Sequence, residues 1–277
     1  FEKLSQEFSN DERAAEWLLR EDIVEKDYVL GWLLWGIATH AELNTAWVFK
    51  GGTCLRHCYY AGYRFSDDLD FSCTDRSGGI ASAQALLDRV ARWIQDAAAL
   101  RVRVKDTRTI EGDFQTEIPL EYSRGGPRRQ GLPGIKVHLT FDEPILTAPV
   151  LRPVKPVYSD LTEFAILAYS KEEIVAEKTR ALLQQQAKWP RPRDLYDLWF
   201  IFCRQRESFD REKLKELFAR KCQMRSIKPD PLLLVAGPLR DSTKGAWKRQ
   251  LDPVLKTLPE FEVVWEEWAK VCQQIFD

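Results

Sequence analysis

The chain has 277 residues, of which 44% are hydrophobic and 12% are aromatic. This apolar content suffices for a buried core and excludes a disordered or collagen-like chain, and the length allows one large domain or two of ordinary size. The 41 Lys and Arg residues nearly balance the 42 Asp and Glu residues, which leaves a formal charge of −1. So small a charge gives no overall attraction to nucleic acids or anionic membranes, so a polyanion would have to bind a local patch.

The sequence carries no signal for export or membrane insertion. No apolar run reaches the roughly 18 residues of a membrane-spanning helix, and the N-terminal residues lack the basic and apolar segments of a secretory signal. The six cysteines include no Cys-x-x-Cys pair and are accompanied by only three histidines, so a structural zinc site is not expected. We therefore expect a cytoplasmic protein with reduced thiols and no membrane association.

The first half of the chain mixes helices and strands. Apolar residues at spacings of three and four predict helical structure from Asn10 to about His40, with a break near residues 20–22. A short strand in AWVF, a glycine turn, a helix start in TCLRHCYYA and a buried strand in DLDFSC follow. An amphipathic helix over SAQALLDRVARWIQDAA then precedes three alternating strands, RVRVKDTR, TEIPLEYSR and IKVHLTFDE.

A proline-rich segment separates this half from a helical second half. Its four prolines are Pro144, Pro149, Pro153 and Pro156. Because proline lacks a backbone donor, the segment is predicted to be an irregular linker, with a domain boundary near residue 155. A capping box, in which Ser170 precedes Glu173, opens the next helix. Later helices are predicted over residues 194–206, 211–220 and 261–276.

The densest group of chemically active residues lies between Phe49 and Phe71. Gly51 and Gly52 end a strand and open a helix, where the backbone can approach an anion such as a triphosphate. Asp68 and Asp70 are two apart on a strand, so both carboxylates lie on one face and repel each other unless a cation lies between them. The arrangement predicts a Mg²⁺ site.

Each half of this pattern also has a purely structural interpretation. A Gly-Gly pair is often only a turn, and two carboxylates often form a solvated strand face. The apolar neighbours Leu69 and Phe71, however, indicate a strand that is at least partly buried. A buried carboxylate pair needs a compensating charge, which favours the metal site.

The whole string FKGGTCLRHCYYAGYRFSDDLDF resembles the DNA polymerase beta-like nucleotidyltransferases, and in particular the AbiEii-type toxins of bacterial type IV toxin-antitoxin systems. The segments VEKDYVLGWLL, AEKTRALLQQ and RPRDLYDLWF agree with that family and occur in the same order. The resemblance implies an α+β fold. Residues 1–154 would form a nucleotidyltransferase domain with N-terminal helices and a small mixed sheet, and residues 155–277 a helical domain that completes the active site.

The resemblance also implies an activity, in which an acceptor hydroxyl attacks the α-phosphate of a nucleoside triphosphate (NTP) and releases pyrophosphate. The acceptor would be the 3′ end of tRNA, the cofactor Mg²⁺ or Mn²⁺, and the setting a toxin restrained by a cognate antitoxin. The implied site consists of phosphate-binding Gly51, Gly52, Thr53 and Ser66, metal-binding Asp68 and Asp70, and Lys178 with Asp194, Lys178 also contacting the nucleotide. Two alternatives are transfer to a protein or small-molecule hydroxyl, and a non-catalytic nucleotide-binding interaction module.

Lys178 is unusual even without the resemblance, because it lies within an apolar helical stripe. It can extend to solvent, pair with an acid from another segment, or bind a triphosphate oxygen. If it serves only the ligand, replacement by Met should leave stability unchanged or raise it. Asp194 is either a helix cap or a catalytic residue, and Asp197 is expected to be structural.

Related enzymes commonly use a third carboxylate from a neighbouring strand to activate the attacking hydroxyl. The polar face of IKVHLTFDE carries His138 where that acid is expected. His138 itself, Asp142, Glu121 or Asp194 are the candidates for this role, and the sequence does not choose among them.

Local positive charge provides candidate RNA contacts. Arginines cluster in the loop RGGPRRQGLPG and again around residues 191–206. Charge runs are often only solvated surfaces, but a few arginines beside the site would suffice for a local interaction with RNA. The leading candidates are Arg128, Arg129 and Arg193.

Overall fold

The computed structural model divides the chain into two compact units, Phe1–Tyr169 and Ser170–Asp277. The structure describes residues 21–74, 79–106, 108–110, 115–123, 133–184 and 189–276. The sequence places the boundary near residue 155, whereas the units divide after Tyr169. The difference arises because the strands on either side of residue 155 both belong to the sheet of the first unit.

Within the described residues, the first unit contains one eight-stranded mixed sheet. Its strands are β1 Trp47–Lys50, β2 Asp68–Cys73, β3 Arg101–Val104, β4 Arg108–Ile110, β5 Gln115–Ser123, β6 Gly134–Thr140, β7 Val150–Val154 and β8 Phe164–Ala168. Their order is β3-β5-β6-β2-β1-β8-β7, and β4 pairs with β5 outside this path. The β2–β6 and β1–β8 pairs are parallel and the others are antiparallel. The predicted mixed sheet is thus confirmed.

Helices of the first unit pack against this sheet. They are α1 Glu21–Thr39, α2 Leu43–Ala46, α3 Gly51–Cys54, which continues as a π-helical turn over Leu55–Tyr59, and α4 Gly79–Ala98. The part of the predicted N-terminal helical stretch before Glu21 lies outside the described residues. One face of the sheet buries Leu69, Phe71, Val137 and Leu139 completely. Because side chains alternate along a strand, the polar residues of β2 and β6 lie on the opposite face.

The proline-rich segment is partly regular, which corrects the prediction of an irregular linker. β7 contains Pro153, which pairs with Ala165 of β8. β7 is the last strand of the sheet order, and an edge strand tolerates proline because one side of its backbone needs no ladder donor.

The second unit is helical, as predicted. Its helices are α5 Lys171–Gln184, α6 Pro192–Trp199, which continues as a π-helical turn over Phe200–Arg204, α7 Arg211–Gln223, α8 Gly237–Leu251 and α9 Phe261–Phe276, with 3₁₀ turns at Pro231–Val235 and Asp252–Val254. The backbone N–H of Glu173 donates to Ser170 Oγ at 3.1 Å, which confirms the predicted cap of α5. The Glu173 carboxylate instead pairs with Lys221 Nζ at 2.8 Å, and both side chains are fully buried.

None of the described helices is long and apolar enough to cross a membrane. All six cysteines have free thiols.

A buried polar cluster joins α1 to the π-helical turn of the first unit. Arg56 Nε donates to Asp27 Oδ1 at 2.9 Å, and the Tyr158 hydroxyl lies 3.1 Å from Asp27 Oδ2. His57 Nε2 lies 3.8 Å from Asp27 Oδ1. Burial is the main cause that lowers the pKa of His57, to about 4; Arg56 lowers it further, whereas Asp27 opposes the shift.

The lowered pKa of His57 predicts a loss of stability in mild acid. Unfolded His57 would take up a proton near its ordinary value of 6.5, but folded His57 only near 4. The free energy of unfolding should therefore fall as the pH drops from about 6.5 towards 4, by at most about 1.4 kcal/mol per pH unit. Urea unfolding at pH 7 and pH 5 should show a larger decrease for the parent chain than for His57→Gln. Equal decreases for the two proteins would contradict this assignment.

Candidate active site

The two carboxylates of the Asp-x-Asp motif lie at the start of β2, on the polar face of the sheet. Asp68 pairs in register with Lys136 of β6, and Asp70 pairs with His138. Burial is the main cause that raises the pKa of Asp68, and the neighbouring Asp70 charge raises it further. A cation between the carboxylates would offset this repulsion. A raised carboxyl pKa of this kind is expected for a pair of acids that binds a metal ion.

Gly51 packs directly against Asp70. Its φ of +80° lies in the left-handed region that favours glycine. A Cβ atom built on Gly51 would lie 2.2 Å from Asp70 Oδ2, which is far inside van der Waals contact. The glycine therefore allows both the turn from β1 into α3 and the close approach of the Asp70 carboxylate.

Gly52 packs against the guanidinium group of Arg64 and the hydroxyl group of Ser66. A Cβ atom on Gly52 would lie 2.7 Å from Arg64 Nη2 and 3.2 Å from Ser66 Oγ. Arg64 is only 3% exposed, and its Nη1 donates to the carbonyl of Phe65 at 3.0 Å. The structure thus brings Gly52 and Ser66 together and places Arg64 beside them. Arg64 was not among the predicted site residues, although its position two residues before Ser66 in GYRFS was the available signal.

Thr53 is fully buried, and its hydroxyl group bonds to another part of the protein. Its hydroxyl donates to the backbone carbonyl of Asp68 at 2.5 Å. This bond fixes the start of β2 against α3. The Thr53 side chain therefore positions the backbone of Asp68.

We predict that Gly51→Ala will reduce nucleotide transfer by at least about 100-fold, because the new methyl group must displace the Asp70 carboxylate. The positive φ should also lower the free energy of unfolding by about 1–2 kcal/mol. Gly79→Ala is the matched control. Gly79 has a φ of +56° but no atom within 4 Å of its added Cβ. Transfer rates and urea unfolding of both variants separate the clash from the backbone strain, and equal rates would contradict the role of Gly51.

Asp70 of β2, His138 of β6 and Glu117 of β5 form a row of three side chains across neighbouring strands. His138 Nδ1 lies 3.0 Å from Asp70 Oδ1, and His138 Nε2 lies 3.5 Å from Glu117 Oε2. Glu117 of β5 pairs in register with His138 of β6. Lys136 Nζ also contacts Glu117 Oε2, at 2.9 Å. The nearby acid is thus Glu117, which was not among the sequence candidates.

The charges of this row determine the protonation of His138. Burial lowers its pKa, but the hydrogen bond to Asp70, the charges of Asp70 and Asp68, and the Glu117 contact outweigh burial and raise the pKa to about 9. The raised pKa favours the protonated imidazolium form of His138 near neutral pH while no cation is bound to Asp70. An imidazolium has no free lone pair and cannot serve as the base in this state.

Two other candidates for the base are placed elsewhere. Glu121 lies further along the same face of β5 as Glu117 and pairs with Arg103 and Lys105, at 2.5 Å and 3.1 Å. Asp142 follows the end of β6. The role of a third carboxylate stays unassigned. The described residues contain no group of three or more His, Cys, Asp or Glu side chains that could hold a metal ion.

The second unit holds a separate cluster around Lys178. Lys178 Nζ lies 2.7 Å from Asp194 Oδ1 and 2.7 Å from Asp197 Oδ2. Of the possibilities open for Lys178, the structure shows pairing with acids of another segment. The Asp197 side chain is fully buried, as expected for a structural residue, and the Asp194 side chain is 15% exposed.

The proposed RNA contacts fall in different parts of the chain. Arg128 and Arg129 lie outside the described residues. Arg193 belongs to α6 of the second unit, where its Nε donates to the carbonyl of Gln250 at 3.4 Å.

The family model for the nucleotidyl transferase AbiEii toxin of type IV toxin-antitoxin systems matches residues 32–270. The chain belongs to the AbiEii family. The resemblance drawn from the sequence motifs is thereby confirmed. Membership makes this protein a nucleotidyltransferase toxin, and it implies an NTP substrate, a divalent metal ion and an antitoxin partner.

Solved structures share the fold of this AbiEii protein. The MenT4 nucleotidyltransferase toxin of Mycobacterium tuberculosis is 19% identical, with a TM-score of 0.61 over 99% of this chain and 88% of that chain. JHP933 of Helicobacter pylori is 20% identical, with a TM-score of 0.59 over 93% of each chain. The comparison with curated proteins gave no match.

Proposed function

We propose that this AbiEii protein uses Mg²⁺ to transfer nucleotides from an NTP to a hydroxyl group of RNA, with the 3′ end of tRNA as the acceptor. Asp68 and Asp70 would hold the metal ion, while Gly51, Gly52 and Ser66 would surround the phosphates. The reaction would take place in the cytoplasm, where both substrates occur.

The observation that carries this proposal is the contact between Gly51 and Asp70. Gly51 begins α3 and the two carboxylates lie on β2, yet a Cβ atom added to Gly51 would lie only 2.2 Å from Asp70 Oδ2. A phosphate chain on the glycine backbone would therefore lie beside a carboxylate. Such a contact is repulsive without a cation, so the geometry favours a metal ion that joins the triphosphate to the acids.

The residues present fit Mg²⁺. This ion is commonly held by one or two carboxylates together with substrate phosphates and water, and Asp68 with Asp70 provide two oxygen donors on one strand face. A bound Mg²⁺ would neutralise the charge that develops during transfer. Arg64, buried beside Gly52, is positioned to add a fixed positive charge for the phosphates.

Lys178 and Asp194 are proposed to take part in the same reaction, on the strength of the family resemblance. The two residues form an ion pair within the second unit, and both side chains are largely buried. RNA binding by Arg128, Arg129 and Arg193 is proposed on a different basis: a net charge near zero requires that RNA be bound by local positive charge.

A labelling experiment tests both the chemistry and the acceptor. The purified chain is incubated with each of the four α-labelled NTPs, Mg²⁺ and total cellular RNA, and parallel reactions contain total protein or an aminoglycoside. We expect label in RNA of tRNA size, and none when Mg²⁺ is chelated. Periodate-oxidised tRNA, which has lost its 3′ hydroxyl groups, is the matched control and should not be labelled.

Other outcomes would replace parts of the proposal. Label on a protein or on the antibiotic would change the acceptor class. Label in oxidised tRNA would exclude the 3′ end as the site. A folded chain that binds NTP but labels nothing would favour a non-catalytic nucleotide-binding module.

A further inference from the structure

Asp70 is held on both sides by groups of the protein. Its Oδ1 lies 3.0 Å from His138 Nδ1, and its Oδ2 packs against the Gly51 backbone. Both side chains of the Asp70–His138 pair lie largely inside the protein, with 26% and 15% exposure. One oxygen of Asp70 is therefore already engaged by an imidazole nitrogen.

This engagement limits how many cations Asp70 can bind. In two-metal phosphoryl-transfer sites the ions lie about 4 Å apart, and shared carboxylates offset the repulsion between them. A carboxylate that binds two ions uses both oxygens or two lone pairs of one oxygen. At Asp70, the contact with His138 Nδ1 already engages Oδ1, which makes this oxygen a poorer ligand for a second ion.

The next acid in the row does not replace the missing ligand. Glu117 lies on the far side of His138 from Asp70, in register on β5. Its Oε2 is bound by Lys136 Nζ at 2.9 Å and lies 3.5 Å from His138 Nε2. Lys136 is itself the register partner of Asp68. A second divalent ion here would approach Lys136 without gaining a free carboxylate.

We infer that the site binds a single divalent cation, and that His138, supported by Glu117, takes the place of the carboxylate that would hold a second ion. The inference rests on the proposed nucleotide-transfer site at Asp68 and Asp70. In this arrangement His138 and Glu117 are positioning residues, because they act through Asp70. The second ion's usual task of activating the attacking hydroxyl would fall to another group.

Counting bound Mn²⁺ ions tests the inference directly. The full chain, saturated with an α,β-methylene NTP that cannot react, is titrated with Mn²⁺ and followed by electron paramagnetic resonance. We expect one ion per parent chain. His138→Asp, which places a carboxylate beside Asp70, should bind two ions with the line broadening of a coupled pair. His138→Asn is the matched control of similar size without a carboxylate, and it should bind one ion.

The outcomes separate this inference from the proposed function. Two ions in a parent chain that also transfers nucleotides would overturn the inference and leave the function intact. A folded His138→Asp variant that binds only one ion would overturn the role given to His138. No Mn²⁺ binding and no transfer by the parent chain would overturn both. If His138→Asp does not fold, the ion count of the parent chain decides alone.

Discussion

Replacing Asp70 by Asn is expected to reduce nucleotide transfer by at least about 1,000-fold while the protein stays folded. A neutral amide binds Mg²⁺ poorly and cannot offset its charge, so several kcal/mol of transition-state stabilisation should be lost. The fold should persist because Asn has the shape of Asp and still fits against Gly51. Transfer of labelled nucleotide at saturating Mg²⁺ measures the loss, and circular dichroism checks the fold.

Asp67→Asn is the matched control for Asp70→Asn. Asp67 belongs to the same short segment, but its carboxylate pairs with Lys26 at 3.2 Å and is 40% exposed. An exposed pair of this kind contributes at most about 1 kcal/mol, so this variant should retain transfer and stability. Near-normal transfer by Asp70→Asn would remove the metal site from β2. Equal loss in both variants would mean that the segment responds to any loss of charge.

The sequence predicts the elements at the centre of the proposed site because local spacing encodes them. Two acids separated by one residue on a strand must share a face, and a glycine pair between a strand and a helix marks a turn of unusual backbone conformation. Both predictions need only that β1, α3 and β2 form, and each of these elements is specified by nearby residues. The structure confirms all three elements.

Glu117 was not predicted because it depends on strand register. Glu117 and Glu121 lie on the same face of β5, two positions apart along that face. The register between β5 and β6 decides which of them lies opposite His138. The connecting residues 124–132 contain turn signals in Gly-Gly and Gly-Pro, but they are too many for one turn type to fix the register. In the structure Glu121 lies opposite Gly134 and Glu117 opposite His138.

The proline-rich segment shows a different limit of the sequence. Pro153 excludes a central strand but permits an edge strand, and only the assembled sheet shows which strand lies at its edge.

Helix α8 was not predicted for a related reason. Its buried positions include Thr243 and Ala246, so its apolar periodicity is weak although the helix is packed on one side.

Replacing Lys178 by Met is expected to lower the free energy of unfolding by about 3–5 kcal/mol. The sequence alone favoured no change or a gain, because the neighbours of Lys178 on its own helix are apolar. The structure reverses this expectation. Lys178 Nζ lies 2.7 Å from Asp197 Oδ2, and the Asp197 side chain is fully buried. Without the lysine, that carboxylate would remain buried without its cation.

The double variant Lys178→Met with Asp197→Asn separates the structural role of Lys178 from its proposed catalytic role. Removing the fully buried acid together with Lys178 should restore most of the lost stability, because the remaining acid, Asp194, is partly exposed and lies 3.8 Å from Arg191 Nη1. Transfer should stay reduced by at least about 100-fold if Lys178 supplies a preorganised charge to the triphosphate. Urea unfolding and labelled-nucleotide transfer are measured on both variants.

Lys213→Met is the matched control, because it removes a lysine whose side chain is 53% exposed and whose ion pair with Glu172 is 3.9 Å long. Its unfolding free energy should change by less than about 1 kcal/mol. A double variant that is stable and transfers nucleotides at the parent rate would make Lys178 a structural residue. A single variant as stable as the control would show that Asp197 tolerates the loss of its partner, for instance by taking up a proton. In that case stability should fall as the pH rises, because burying the ionised carboxylate without Lys178 is unfavourable.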